Sequence, residues 1–275
     1  MRRMLIPIVA VSSCLLLAAG ASVADDYRSD RQICRDLPSH AELTAVLKSV
    51  VGFNNAGLGH DMWAAIVNKD GFVCAVTFSG EDRNAQWTIG RVVAAAKAHT
   101  SNMLSLPAGR GGLFPGIASS TANVWAVVQP GRFGFGLTLS NPVDTDVAYR
   151  GNPARYGMPN DPMVGRRIGG VIAVAGGLAL YNSDGDRIGG LGLSGDTACS
   201  DHIQAWKVRD ALELDYVPLG FSPTGDDNII FDIVDDIGGN PESPSGFGHP
   251  YCFNPAAEQA AVDALPVDFP IGPNP

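Results

Sequence analysis

Apolar residues recur along this chain in two rhythms, and each change of rhythm marks an element. From Ser39 to Phe53, Leu43, Val46, Leu47 and Val50 fall three and four apart, which predicts a first helix with one apolar stripe. Ser39 followed three residues later by Glu42 supplies its capping box. Met62 to Val67 and Phe72 to Phe78 are short apolar runs joined by Asn68-Lys69-Asp70-Gly71, a hairpin signal because Asn, Asp and Gly accept positive φ. Asn84 to Leu104 returns to helical spacing, with Ile89, Val92, Val93, Ala96, Thr100 and Met103 on the packed face and His99 at its edge. A second hairpin is predicted from Val171 to Leu180 and Ile188 to Leu193, around Asn182-Ser183-Asp184-Gly185. After Ser194-Gly195, Thr197 or Ser200 caps a third helix with Ile203, Trp206 and Asp210 on one side, ending near Leu214.

Each hairpin carries NxDG at its turn and Ser-Gly after its second strand, with 12 residues from the Asn to that later Gly in one copy and 13 in the other. Two copies make an internal repeat within one domain, 25–236, and not a solenoid. Between the units, 105–166 is too rich in Gly and Pro for long regular elements, although Thr121 to Val128 has room for a short helix or strand. A stretch of that length is expected to be an ordered insertion over one end of the sheet, its Phe114, Trp125, Phe133 and Phe135 lining an apolar pocket or packing beneath the loop. Ile229 to Val234 reads as an edge strand, and 237–275 as a Pro/Gly-rich tail wrapping the surface, with a short helix at Ala256 to Leu265.

Met1 to Ala24 has Arg2 and Arg3, an apolar run and Ser22-Val23-Ala24, the pattern of a cleaved signal peptide. A periplasmic or secreted product without a membrane span is therefore expected. Losing the two arginines takes the formal charge from −9 to −11, which gives no electrostatic reason to bind nucleic acid or an anionic membrane. Four cysteines remain outside the leader, and an even number in an exported chain predicts two disulfides. Of three possible connectivities, Cys34 with Cys74 and Cys199 with Cys252 tie each terminal segment to its nearer hairpin-helix unit.

Three stretches carry a family resemblance: AAAKAHT at Ala94 to Thr100, IGGVIAVAGGLALYNSDGDRIGGLGLSGDT at Ile168 to Thr197, and the following helix with Asp201 and His202. Together they resemble the GlcG/HbpS family of haem-binding and haem-degrading domains over about half of the chain. The resemblance implies an α+β, profilin-like α-β2-α-β3-α fold with a mainly antiparallel sheet flanked by helices. It also implies haem or a related tetrapyrrole as ligand and, often, a homo-oligomer. The insertion and the tail exceed the basic family domain.

Two familiar motifs fail on context. Gly190 to Gly195 matches GxGxxG, but its strand is the return arm of a hairpin and not the opening of a βαβ unit. GLSGD lacks the last glycine of a nucleophile elbow, which excludes a Ser-His-Asp hydrolase of that type. A sharper constellation is Cys199-x-x-His202 with His249-x-x-Cys252. Under reducing conditions this spacing reads as a zinc site; in an exported chain it reads as a disulfide that brings His202 and His249 together. Trp206 and Arg209 follow His202 at i+4 and i+7, supplying a ring and a cation for a haem propionate. The plainer reading is two structural histidines beside a disulfide. His99, with Met103 one turn on, is the other candidate ligand, and His60 the reserve. Met103 itself reads as core. The sequence thus points to an exported haem-binding protein for carriage, storage or sensing, with a haem-degrading or redox enzyme and a non-catalytic interaction domain as the competing classes.

Overall fold

In the computed structural model, which describes residues 33–109, 115–235, 239 and 241–272, the first helix, α1 (His40–Val51), starts where its capping box places it. Ser39 Oγ accepts from the Glu42 N–H at 3.3 Å, and Glu42 Oε2 accepts from the Ser39 N–H at 2.7 Å. The expected leader, Met1 to Ala24, and Phe114 lie outside the described residues. Strands β1 (Trp63–Asn68) and β2 (Val73–Phe78) form the first hairpin, β3 (Gly177–Tyr181) and β4 (Arg187–Ser194) the second. They join antiparallel through β1 and β4 into one sheet ordered β2-β1-β4-β3. The family pattern implies five strands, whereas this sheet has four among the described residues.

Alternation along β1 explains why it is buried throughout. Ala64 and Ile66 face one core with α1 and helix α5 (Ala198–Ala211), while Trp63, Ala65 and Val67 face a second core under helix α2 (Gly90–Leu104). The sheet is therefore the middle of three layers. On the α2 side, β4 presents Gly190 and Gly192, where an added Cβ would run into the Ala98 and Ala94 carbonyls. The glycines let the helix backbone lie directly on the strand.

That close approach revises the expected face of α2. The helix docks on the strand through Ala94, Ala95, Ala98 and Ser101; of the expected face Val92, Ala96 and Thr100 are buried, while Ile89 and Met103 are exposed, so the core reading of Met103 is corrected. α2 also begins at Gly90 and not at Asn84. Residues 80–89 are held as turns, with Asp82 accepting from the Asn84 N–H and the Gln86 amide bonded back to Gly80 N and Asp82 O. The second hairpin's first strand is likewise shorter than the apolar run. Positive φ at Gly176 breaks it just before β3, and Ile172 N–H donates to Thr100 Oγ1 instead of to a strand.

The segment 105–166 is ordered where described, with a 3-10 turn (Ala126–Val128) and the short helices α3 (Leu137–Ser140) and α4 (Thr145–Ala148). Its stretch from Ala118 to Val124 is buried, and the guanidinium of Arg91 on α2 is paired with Asp161 and lies 3.7 Å over the Tyr156 ring. Phe133 and Phe135 do not pack beneath the loop; they stand exposed, since their turn lies outside both cores. Ile229 to Ile233 forms no strand; a two-residue ladder between β5 (Val234–Asp235) and β6 (Pro241–Glu242) follows it. The tail does more than wrap the surface. Helix α6 (Pro255–Asp268) inserts Val262 and Leu265 into the core that holds Leu43, Leu47 and Trp206.

Both expected disulfides are present, Cys34–Cys74 with Cα atoms 5.5 Å apart and Cys199–Cys252 at 5.9 Å. Among the described residues no helix is long and apolar enough to cross a membrane.

Candidate functional site

Thr197 caps α5, its Oγ1 accepting from the Ser200 N–H, so the next residues of the helix point their side chains back toward the turn that carries Cys199. His202 lies there, fully buried. Asn228 Nδ2 donates to Val262 O, which turns Asn228 Oδ1 toward the Ile229 N–H at 2.9 Å and toward His202 Nε2 at 3.2 Å. The Ile229 N–H also points at His202 Nε2 at 3.1 Å, so this nitrogen meets an acceptor and a donor and is satisfied in either tautomer, whereas Nδ1 is not. That Nδ1 is buried without a hydrogen-bond partner.

His249 is set by the mirror arrangement. Its Nδ1–H donates to Pro250 O at 2.7 Å, leaving Nε2 to accept a long contact of 3.4 Å from the Ala175 N–H. Burial, opposed by the Asn228 hydrogen bond, pushes the His202 pKa down to about 3, and burial pushes that of His249 down to about 4. Both rings are neutral at ordinary pH. The two sulfurs of Cys199 and Cys252 and one His249 nitrogen all lie within 4.8 Å of one another.

Beside them sits a pair that sequence reasoning did not single out. Lys97 Nζ donates to Asp201 Oδ2 at 2.6 Å and to Leu193 O at 3.1 Å, both side chains being buried. Burial outweighs Lys97 and pushes the Asp201 pKa up to about 6. Lys97 falls inside AAAKAHT and Asp201 just past the LGLSG strand end, so the signal lay in the resemblance motifs and not in local periodicity.

The expected stacking surface around His202 is filled by the chain itself. Trp206 Nε1–H donates to Phe269 O at 2.9 Å. Arg209 is fully buried, held in a bidentate pair with Asp227 at 2.7 and 2.8 Å, with a further bond to Ala179 O. No face of this trio is open to a macrocycle, and Arg209 has no free charge for a propionate. The structure buries both His202 and His249, and His249 is the one that joins the two sulfurs within 4.8 Å; what it adds is the lid formed by Asn228, Ile229 and α6.

His99 is placed differently. It stands on the outer edge of α2, half-buried, against the first hairpin turn: a Cβ on Gly71 would lie 3.0 Å from His99 Nδ1. Nδ1 is buried without a partner. Burial, and then the charge of Arg167, lower the His99 pKa, so this ring too is neutral. Arg167 stacks its guanidinium 4.5 Å over the Phe72 ring, and Met103 is exposed one turn further along α2. His60 is exposed in the loop before β1, its N–H donating to Asp196. Three clefts of about 610, 120 and 280 Å³ lie elsewhere, and none is lined by His99, His202 or His249.

No family model and no curated protein sequence matches the chain. Among solved structures it is similar to Klebsiella pneumoniae protein ORFY, described with the DUF336 family model, at 18% identity and a TM-score of 0.41, over 64% of this chain and 90% of that one. It is also similar to the PduOC:Heme complex at 20% identity and a TM-score of 0.43, over 65% of this chain and 96% of that one. Likenesses this distant carry no argument about activity.

Proposed function

We propose that this is an exported haem- or tetrapyrrole-binding protein for carriage, storage or sensing, with His99 as the iron ligand. The observation that carries the ligand assignment is the state of the His99 ring, half-exposed and neutral, beside a cation and an aromatic face. Nδ1 is sealed against the Gly71 turn, so iron would bind at Nε2. Arg167 would meet a propionate, as a guanidinium does with a carboxylate. Bound haem would supply a redox-active iron. His202 and His249, the first candidates by spacing, hold their cluster behind α6 and would need the tail displaced to reach a macrocycle.

Haemin titration followed by the Soret band tests this. His99→Ala should weaken binding by about 10-fold or more, the scale on which metal-site losses fall, whereas His202→Ala and His249→Ala should leave it unchanged. Absence of any Soret shift in the parent protein overturns haem binding altogether. Loss of the shift only in His202→Ala or His249→Ala returns the ligand to the buried pair. Decay of the band with reductant and release of iron would make the protein an enzyme and not a carrier.

A further inference from the structure

We infer that the Cys199–Cys252 disulfide conceals a Cys2His2 site for a tetrahedral divalent cation of the zinc class, which reduction exposes. The four donors are Cys199 Sγ, Cys252 Sγ, His249 and His202. Three of them already lie within one coordination-sized cluster, both sulfurs and a His249 nitrogen falling within 4.8 Å of one another. The fourth is His202, one turn along α5 from Cys199, whose buried Nδ1 has no hydrogen-bond partner among the described residues. An orphaned buried ring nitrogen is costly in an interior, so its retention needs an account.

The surroundings are those of a metal site. The other ring nitrogen of each imidazole is held by the chain, His202 Nε2 between Asn228 Oδ1 and the Ile229 N–H and His249 Nδ1 by Pro250 O, the kind of outer bond that orients metal-ligating histidines. Cys199 occupies the first turn of α5, where the helix dipole and free N–H groups stabilise a thiolate, and its own N–H already points at Cys252 Sγ at 3.0 Å. Two thiolates and two imidazoles make a closed tetrahedral set for zinc.

The chemistry balances with a dithiol as reductant. The dithiol gives two electrons and two protons to the protein S–S bond, becoming a disulfide itself and leaving two cysteine thiols. A divalent cation then replaces the two thiol protons, forming two metal–sulfur bonds and releasing two protons. The oxidised protein has no thiolate to offer and should not bind. This inference is independent of the haem reading and uses none of the residues around His99.

Cobalt(II) is the probe, added to protein reduced with a dithiol that is then removed under nitrogen, in a Cys34→Ser/Cys74→Ser background so that only one disulfide is in play. The expected result is one cobalt per chain, with a thiolate charge-transfer band and intense tetrahedral d–d bands that vanish on adding zinc, and no bands before reduction. His202→Ala and His249→Ala should each weaken cobalt binding by 10-fold or more. If reduction loosens the tail, cobalt must also restore the near-ultraviolet circular dichroism of the oxidised protein. Bands of equal strength in Cys199→Ser, an absence of bands in the reduced protein, or failure of cobalt to restore the fold overturns the site.

Discussion

At the first hairpin turn Asn68 Oδ1 accepts from the N–H groups of Asp70 and Phe72, and Gly71 N–H donates to Asn68 O. At the second turn Asn182 Oδ1 accepts from Asp184 and Asp186, and Gly185 N–H donates to Asn182 O. Both ladders slip by one residue beside the turn, between Ile66 and Val67 and between Leu180 and Tyr181. Yet a Cβ at Gly71 would press on His99, while one at Gly185 meets nothing. The helices that follow differ in the same way, since α2 leaves its histidine half-buried at the edge and α5 has its histidine closed over by Asn228, Ile229 and α6. Local sequence dictates the turns; chain from far away decides which histidine is reachable.

The largest expected contrast is between the cations on the two helices. Arg209→Met strands Asp227 in the core and should cost about 3–5 kcal/mol, the range for breaking a buried pair. Lys97→Met should cost less, because Asp201, already pushed up to about 6, can take up a proton in place of its partner. Urea melts at pH 7 measure both, and equal losses would remove this distinction between the units.

Acid comes next. Unfolded His202 takes up a proton near 6.5 but the folded ring resists until about 3, so its neutral burial costs stability as pH falls below 6.5. Asp201 runs the other way: its contribution is present below 3.8 and is lost as pH rises through about 6. His202→Gln should therefore flatten the acid loss by up to about 1.4 kcal/mol per pH unit between 6.5 and 4, with Asp201 common to both proteins. His99→Gln, in a half-exposed site, should flatten it far less. Identical slopes in the two variants would argue that exposure does not separate these histidines.

The smallest effect concerns the turns themselves. Gly185→Ala meets only the positive φ of 75° and should cost about 1 kcal/mol, whereas Gly71→Ala adds the His99 contact to a φ of 84° and should cost more and shift the His99 imidazole resonances. No change at those resonances would detach His99 from the turn.

What could be read in advance was local or covalent: the Ser39–Glu42 box, both Asn-x-Asp-Gly turns, the Thr197 cap and the two disulfides. The sequence could not show that α2 would dock through its alanines, because that depends on glycines in a strand some ninety residues later. Nor could the partner of Arg209 be foreseen, as Asp227 sits in a stretch that reads as a plain polar turn. The place of His249 beside the Cys199–Cys252 sulfurs was legible from cysteine spacing, but the lid over His202 was not, since α6 has a weak pattern and looked like surface.

Leu265 and Val262 share a core with Leu43 and Leu47, more than two hundred residues earlier. A chain emerging from its N-terminus cannot complete that core until α6 has arrived. The core must wait for more than two hundred further residues after α1, and the Cys199–Cys252 bond can be sealed only once Cys252 is available.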